Sequence, residues 1–139
     1  ENKKIVFTNG CFDILHVGHI EYLKFSRKQG DVLVIGLNTD RSVREQKGDK
    51  RPFVSEDERA RLISALEDVD YVILFDDLTP EKLIRRVKPD VLVKGEDWKE
   101  KGVVGREFVE SYGGKVILAP LVKDVSTTDI VSRILERSG

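Results

Sequence analysis

The sequence is poor in several features, and each shortage removes a class of protein. Cys11 is the only cysteine among 139 residues, which excludes an internal disulfide framework and the CxxC zinc and redox motifs. No apolar run approaches the roughly 20 residues that a membrane-spanning helix needs. The formal net charge of -1 gives no overall attraction to nucleic acid or to an anionic membrane surface. We therefore expect a soluble, cytoplasmic protein with a small, mobile substrate.

The chain also contains no methionine, and its first residues are polar rather than the start of a signal peptide. We therefore expect the first residue not to be the start of translation, which leaves room for a partner domain upstream. The composition, with 40% hydrophobic and 35% charged residues, is typical of a globular protein. The length suits a single core, so we predict one domain, residues 1–139.

Five short apolar runs predict the strands of a central, mostly parallel sheet. Runs that are apolar on both faces are typical of parallel strands with helices packed on each side. Their spacing is that of successive strand–helix units. The predicted strands are residues 4–8, 31–38, 71–75, 91–94 and 115–119.

The segments between these runs show helical periodicity and the signals that begin or end a helix. Gly30 is placed to end the first helix, Ser55 and Glu58 form a capping-box pattern, and Thr79-Pro80 opens another helix. Further helices are predicted over 106–112 and 126–137. Alternating strands and helices predict a doubly wound, Rossmann-like α/β fold with helices on both faces of the sheet. Ligands of such folds bind beyond the carboxyl ends of the strands, where the loops are residues 9–19, 38–51, 95–102 and the stretch leading into 126–128.

Both histidines of the chain lie in the loop after the first predicted strand. His16 and His19 are three residues apart around Gly18, which brings both rings to the N-terminus of the first helix. Backbone N–H groups and the helix dipole favour an anion there, and two imidazoles add donors for phosphate oxygens. The alternative is one structural and one surface histidine. A zinc site is not predicted, because Asp13 is the only acidic residue in the turn that could complete a ligand set.

The His16-Val17-Gly18-His19 motif resembles that of the HxGH nucleotidyltransferases, a family of cytidylyltransferases and adenylyltransferases. Further family motifs follow in the family's order over essentially the whole chain, at residues 38–40, 47–52, 58–59, 69–70, 94–98 and 126–128. The resemblance implies that the protein joins the phosphate of a small compound to the α-phosphate of a nucleoside triphosphate, with release of pyrophosphate. It implies catalytic roles for His16, His19 and Lys47.

The resemblance also implies a set of nucleotide- and phosphate-binding residues. They are Asn9, Gly10, Phe12, Asp13, Gly18, Asn38, Asp40, Arg51, Arg59, Gly95, Asp97, Trp98, Ser126 and Thr127. Several have structural alternatives: Arg51 and Arg59 could form surface ion pairs with helix glutamates, and Ser126 with Thr127 could simply cap the last helix. Lys47 could be a solvated loop charge, and Cys11 is expected to pack beneath the turn rather than act as a nucleophile.

Within the family, three stretches resemble the heptose 1-phosphate adenylyltransferases: residues 8–13, residues 47–49 with 51–52, and residues 79–80 followed by 89–95. This likeness implies transfer of AMP from ATP to D-glycero-β-D-manno-heptose 1-phosphate, giving ADP-heptose for lipopolysaccharide core synthesis. Glycerol-3-phosphate cytidylyltransferases typically carry an Arg-Thr-Glu-Gly-like run before the Ser-Thr pair, whereas residues 121–125 contain no arginine. A cytidylyltransferase using CTP and glycerol 3-phosphate or a similar alcohol phosphate stays open, as does a pantetheine-phosphate-type adenylyltransferase.

A non-catalytic nucleotide- or phosphate-binding module on the same fold is the alternative from another class. A receiver-like module needs an acidic pair after the first strand, but that strand ends in Thr8-Asn9-Gly10. Mg²⁺ is expected to arrive with the triphosphate and to bind mainly through phosphate oxygens, so no protein metal ligand is predicted. By resemblance we expect a homodimer, and a sugar kinase partner that is either fused or separate.

Overall fold

A five-stranded sheet forms the centre of the protein in the computed structural model, which describes residues 2–98, 102–122 and 126–138. The strands are β1 (Ile5–Gly10), β2 (Val32–Asn38), β3 (Tyr71–Phe75), β4 (Val91–Gly95) and β5 (Lys115–Ala119). Their order across the sheet is β3-β2-β1-β4-β5, and all four neighbouring pairs are parallel. The predicted number of strands and their parallel arrangement are confirmed.

Helices occupy the segments between the strands. They are α1 (Val17–Arg27), α2 (Asp40–Lys47), α3 (Glu56–Ser64), α4 (Glu81–Val87), α5 (Arg106–Ser111) and α6 (Thr127–Ser138), with a 3₁₀ turn at Glu96–Trp98. The Ser55 half of the predicted capping box is formed, because the Ser55 hydroxyl accepts the N–H of Glu58 at 3.4 Å. The Glu58 carboxylate accepts from the Ser55 hydroxyl at 3.3 Å, so the bond from Glu58 to the Ser55 backbone that would complete the box is not among those of the described residues. Among the described residues, none of these helices combines the length and apolar character needed to cross a bilayer.

Helix α2 corrects the prediction that residues 38–51 form a loop. Its eight residues are strongly polar, so they carry little apolar periodicity, and Val43 is the one aliphatic side chain among them. The helix forms because the Thr39 hydroxyl accepts the N–H of Ser42 at 3.3 Å and because Val43 is fully buried against the rest of the fold. Tertiary burial of one side chain thus outweighs a weak local pattern.

The two faces of the sheet pack against different helices. Val6 of β1 belongs to a buried cluster with Leu23 of α1 and Ile63 of α3. Its neighbour Phe7 belongs to a second cluster with Ile84 of α4 and Val109 of α5. Because successive side chains of a strand point to opposite faces, this partition confirms the doubly wound arrangement. Each such buried side chain contributes about 1.5–3 kcal/mol, so the two clusters hold the strand ends, and the loops that follow them, in fixed positions.

Candidate active site

A cleft of about 470 Å³ opens at the carboxyl edge of the sheet, where β1 and β4 lie side by side. This is the point at which the strand order reverses, the usual ligand site of an open α/β sheet, and the volume is that of a small-molecule site. Most of the predicted site residues line it. They are Asn9, Gly10, Phe12, Asp13, His16, Gly18, His19, Lys47, Arg51, Gly95, Asp97, Trp98, Ser126 and Thr127.

The two histidines form a reciprocal cap at the N-terminus of α1. Nδ1 of His16 accepts the backbone N–H of Gly18 at 3.1 Å, and Nδ1 of His19 accepts the backbone N–H of His16 at 3.3 Å. The rings stack with their centroids 3.9 Å apart and their planes at 21°. Because each Nδ1 is an acceptor, each neutral ring carries its proton on Nε2. The pair therefore provides two N–H donors that the helix cap does not use.

Both imidazoles are neutral at physiological pH. Burial lowers the pKa of His19 to about 4, with further lowering by His16 and by the Lys47 ammonium. Burial also lowers the pKa of His16, against a smaller raising effect of Asp129. Neutral rings can stack closely without charge repulsion. They can also donate hydrogen bonds to an anionic oxygen.

Helix α6 brings a second N-terminus to the same cleft. The Ser126 hydroxyl accepts the N–H of Asp129 at 3.0 Å, which is the predicted cap of this helix. The Thr127 hydroxyl donates to the Ile14 carbonyl at 3.3 Å and so ties α6 to the loop between β1 and α1. The N-termini of two helices therefore line one cavity, and their dipoles favour a bound phosphate there.

The buried Phe12 ring packs against the ring of His19 and is not a free stacking surface. Its side chain is 7% exposed, and its ring centroid lies 5.1 Å from that of His19. A Cβ atom at Gly10 would come within 2.9 Å of the Phe12 ring, so only glycine lets the ring occupy this place. Gly10 and Phe12 thus set the position of His19 in the cleft wall.

Asp13 binds the backbone of the segment between α2 and α3, which follows Lys47 and contains Arg51. Its carboxylate accepts the N–H of Phe53 at 2.8 and 3.0 Å and the N–H of Val54 at 2.9 Å. Arg51, two residues before Phe53, is half-buried, and its guanidinium lies 4.8 Å from the centre of the Phe53 ring. Lys47 is exposed at the end of α2. The carboxylate of Asp13 thereby holds the chain just before α3 through two backbone N–H groups, while Asp13 also lines the cleft.

The structure does not bring Arg59, Asp40 and Asn38 into the cleft wall. Arg59 is fully buried, and its guanidinium donates to the carbonyls of Val54 at 2.9 Å, Cys11 at 2.8 Å and Asn38 at 2.8 Å. It also pairs with the Asp40 carboxylate at 2.7 Å. These contacts replace both the predicted phosphate contact and the alternative surface ion pair with a glutamate. Arg59 acts behind the site, by joining the loops after β1 and β2 to α3.

The end of β4 forms the opposite wall of the cleft. A Cβ atom at Gly95 would lie 2.7 Å from the Asp97 carboxylate and 3.2 Å from a Leu121 methyl, so glycine permits the chain to turn closely here. The Lys94 ammonium lies 4.9 Å from the centre of the half-buried Trp98 ring. Trp98 therefore meets a cation of this chain as well as lining the cleft.

Seven further residues line the cleft that sequence reasoning did not assign to the site. They are Cys11, Tyr22, Lys94, Pro120, Leu121, Val122 and Thr128. Lys94 had a visible signal, because it is a charged residue within the otherwise apolar strand β4. Burial raises the pKa of the Cys11 thiol, against lowering effects of Lys47 and Arg59, which agrees with a packing role. Tyr22 is held by a 2.5 Å hydrogen bond with the Thr8 hydroxyl.

The fold, the histidine cap and the cationic cleft together define a nucleotidyltransferase-type protein. The family model described as "Cytidylyltransferase-like" matches residues 7–133. The chain belongs to this family, and the family prediction made from the HxGH motif is confirmed.

Individual relatives are more specific. The chain is 57% identical over 137 residues to "Bifunctional protein HldE" of Geobacter metallireducens, an alignment that covers 99% of this chain and 28% of that protein. The chain thus spans little more than a quarter of the length of its curated relatives. It is also similar to the crystal structure of "the lipopolysaccharide core biosynthesis protein" from Thermoplasma volcanium GSS1, with a TM-score of 0.69, 35% identity and coverage of 88% of this chain and 98% of that one. At 19% identity, a pantoate-beta-alanine ligase from Francisella tularensis shares the fold alone, with a TM-score of 0.62, 98% of this chain covered and 71% of that one.

Proposed function

We propose that this protein transfers AMP from ATP to D-glycero-β-D-manno-heptose 1-phosphate, giving ADP-heptose and pyrophosphate for lipopolysaccharide core synthesis. One observation carries the reaction class: two helix N-termini and two stacked neutral histidines converge on a cleft whose wall also holds Lys47 and Arg51. Such a set of donors and cations suits a triphosphate. Residues 1–139 are taken as one domain that carries out this reaction.

In the proposed reaction an oxygen of the sugar phosphate attacks the α-phosphorus of ATP while the bond to the bridging oxygen breaks and pyrophosphate leaves. Such transfers need positioning and charge neutralisation more than covalent chemistry by the protein. The Nε2–H groups of His16 and His19 are placed to donate to phosphate oxygens as negative charge develops on them. Lys47 and Arg51 supply positive charge along the leaving pyrophosphate, and the hydroxyls at the start of α6 supply further donors.

The proposal includes Mg²⁺ bound with the triphosphate. The described part of the cleft lining contains two carboxylates, Asp13 and Asp97, and that of Asp13 already accepts backbone N–H groups. Among the described residues, no group of three or more His, Cys, Asp or Glu side chains is arranged to hold a metal ion. This lining fits an ion held chiefly by phosphate oxygens and water, with Asp97 as the available protein carboxylate. The ion would supply charge neutralisation on the phosphates.

The choice of ATP and a heptose phosphate is supported by the relatives. Proteins called "Bifunctional protein HldE" match nearly the whole chain at 52–57% identity, and the similar Thermoplasma structure is described as a lipopolysaccharide core biosynthesis protein. The cytidylyltransferase alternative, with CTP and glycerol 3-phosphate, has the general family description in its favour. The relatives at high identity favour the heptose reaction over it.

The proposal extends to partners and location. Because the matched relatives are named bifunctional and this chain spans 28% of their length, we propose a sugar kinase partner, fused or separate, that supplies the phosphorylated heptose in the cytoplasm. We also propose a homodimer. The edge strand β3 supports it, since Tyr71 is 63% exposed and Ile73, on the same face of the strand, is 36% exposed, an apolar surface that a second subunit could cover. Light scattering of the purified protein tests the dimer.

Pyrophosphate release tests the reaction. The protein is incubated with Mg²⁺ and either ATP or CTP, and with either D-glycero-β-D-manno-heptose 1-phosphate or glycerol 3-phosphate. Release with ATP and the heptose phosphate should fall about 100-fold or more in His16→Ala, the effect of losing one donor to the transition state. Release only with CTP and glycerol 3-phosphate would overturn the substrate assignment. No release with any pair, from a protein that binds ATP, would favour a binding module.

A further inference from the structure

The neighbouring strands β1 and β4 stop pairing before they reach the cleft. The residue pairs between them end at Phe7 and Leu92. Beyond that point, β1 remains paired with β2 as far as Gly10, and β4 remains paired with β5 as far as Gly95. Within these fully described strands, no backbone pairing fixes the distance between the last residues of β1 and those of β4.

The hydroxyl of Tyr22, on α1, joins the two strands at this point. It donates to the Val93 carbonyl of β4 at 3.1 Å and lies 2.5 Å from the Thr8 hydroxyl of β1. Because a phenol has one proton to donate, the Thr8 hydroxyl donates to the Tyr22 oxygen. Thr8 and Val93 are the first residues beyond the last pair, and both are fully buried. One side chain of α1 thus bridges β1 and β4 where their pairing ends.

The surroundings of the Tyr22 hydroxyl keep this bridge protonated. Burial raises the pKa of the Tyr22 phenol, against a lowering effect of the Thr8 hydrogen bond, and Asp97 raises it further. Within the described residues, the buried Thr8 hydroxyl hydrogen-bonds to Tyr22 alone. Loss of the phenol oxygen would therefore leave a buried polar group without a partner, which destabilises a fold.

Tyr22 lies close to the histidine pair along the helix. It follows His19 by three residues, so the two side chains lie on the same side of α1. The reciprocal cap fixes the imidazoles relative to their own helix, but it does not fix the helix relative to the sheet. The contact of the His19 ring with Phe12 is apolar, and such contacts are not directional. The Tyr22 bridge is directional, and it ties the first turns of α1 to both strands.

The bridge also relates the histidines to the opposite wall of the cleft. That wall begins at Gly95, two residues after Val93, and Tyr22 itself lines the cleft between the two walls. The bond from Tyr22 to Val93 therefore sets how far the end of β4 lies from the N-terminus of α1. A displacement of catalytic groups by about 1 Å can lower a reaction rate about 100-fold.

We propose that Tyr22 is a positioning residue for the nucleotidyl transfer, because its hydroxyl bridge holds the two histidines in place against the β4 wall of the cleft. This inference rests on the proposed function, since it assigns Tyr22 a role in that reaction through the histidines. In this role the Tyr22 hydroxyl donates no proton to the substrate. Its loss slows the chemical step more than it weakens the binding of either substrate.

Steady-state kinetics of two tyrosine variants test the assignment. Tyr22→Phe removes only the hydroxyl and should lower kcat for pyrophosphate release about 10- to 100-fold, with both KM values within about threefold of the wild type. Tyr112→Phe is the matched control, since the Tyr112 hydroxyl donates to the Pro89 carbonyl at 2.6 Å and Tyr112 is outside the cleft lining. This control should keep the wild-type kcat. Equal kcat values of the two variants would overturn the proposal.

A second substitution separates positioning from folding stability. Tyr22→Phe leaves the Thr8 hydroxyl buried without a partner and should lower Tm by roughly 3–8 °C. The double variant with Tyr22→Phe and Thr8→Val removes both hydroxyls, so most of this loss should be recovered. Because the bridge stays broken, kcat of the double variant should remain low. Recovery of kcat together with Tm would assign the bridge a purely structural role and overturn the proposal.

NMR of the histidine ring nitrogens tests the positioning without any reaction. The chain contains two histidines, and in the wild type both rings should carry their proton on Nε2, as their hydrogen bonds at Nδ1 require. Tyr22→Phe should shift the ring signals of both histidines. Tyr112→Phe should leave these signals unchanged.

The NMR result distinguishes failure of this inference from failure of the proposed function. If the wild-type protein released no pyrophosphate with the heptose phosphate, the expected shifts in Tyr22→Phe would still support the positioning of the histidines, and only the proposed function would fail. Ring signals of Tyr22→Phe identical to those of the wild type would overturn the positioning role even if the heptose reaction proceeds.

Discussion

Arg59 provides the sharpest test of how the site is held together. Its fully buried guanidinium donates to the carbonyls of Val54, Cys11 and Asn38 and pairs with Asp40. Substitution of Arg59 by methionine keeps most of the side-chain volume and removes every donor. The two loops and helix α3 then lose their common partner, and Asp40 loses its counter-ion.

The size of the effect follows from these contacts. Removing one member of a buried ion pair costs about 3–5 kcal/mol, because the remaining charge and carbonyls lose their partners. The Asp40 side chain is 27% exposed, so water can take over part of its interaction, and the lower half of that range is expected. For a chain of this length, about 3 kcal/mol corresponds to a fall in Tm of roughly 10 °C.

Urea and thermal unfolding followed by circular dichroism would measure the change. Arg61→Met is the matched control, since Arg61 lies on the same helix and is exposed, and it should stay within about 0.5 kcal/mol of the wild type. A stability of Arg59→Met equal to that of Arg61→Met would refute the structural role. If such a stable variant also showed a much higher KM for ATP, Arg59 would instead be a phosphate ligand.

Three further predictions concern the cleft wall. Because the folded-state pKa of His19 is about 4 against an ordinary 6.5, the unfolded chain binds more protons between these values, so the free energy of unfolding should fall as pH drops from 6.5 to 4. Urea denaturation at several pH values should show a weaker decline in His19→Gln, and identical slopes would contradict the assigned burial. Asp13→Asn removes one of the two carboxylate oxygens that accept backbone N–H groups. It should lower the free energy of unfolding by about 1–3 kcal/mol and raise KM for ATP. An unchanged Tm would contradict a structural role of these hydrogen bonds. Gly95→Ala places a methyl group 2.7 Å from the Asp97 carboxylate, and the resulting displacement of the turn should lower kcat/KM by about 100-fold. Gly102→Ala is the control. Its methyl group would meet no atom within 4 Å, but Gly102 has a positive φ, so this variant should lose stability more than activity.

Much of the site was predictable because the ends of parallel strands meet at one edge of a sheet. The HxGH turn, the Ser126 cap and the Gly95–Trp98 stretch each follow a strand or begin a helix, and the structure brings all three to one cleft. Helix α2 was missed, because its polar sequence gives little periodicity and its formation depends on burial of Val43.

The roles of the charged residues needed the tertiary structure. Arg59, Asp13 and Lys94 all look like surface charges in the sequence, yet all three are buried. Arg59 and Asp13 use their charge to bind backbone groups of loops that are distant along the chain, whereas the Lys94 ammonium contacts the Trp98 ring. Sequence separation hides these contacts, because a partner 40 or more residues away, as in the bonds from Phe53 to Asp13 and from Arg59 to Cys11, leaves no local pattern.

The sequence by itself determined the alternation of strands and helices, the family motif and the edge of the sheet at which the ligand site lies, since these depend on local periodicity and chain order. Only the tertiary structure decided which cations line the cleft and which bind backbone groups behind it. It also decided that both histidines are neutral, because burial, stacking and hydrogen-bond partners depend on which residues the fold brings together.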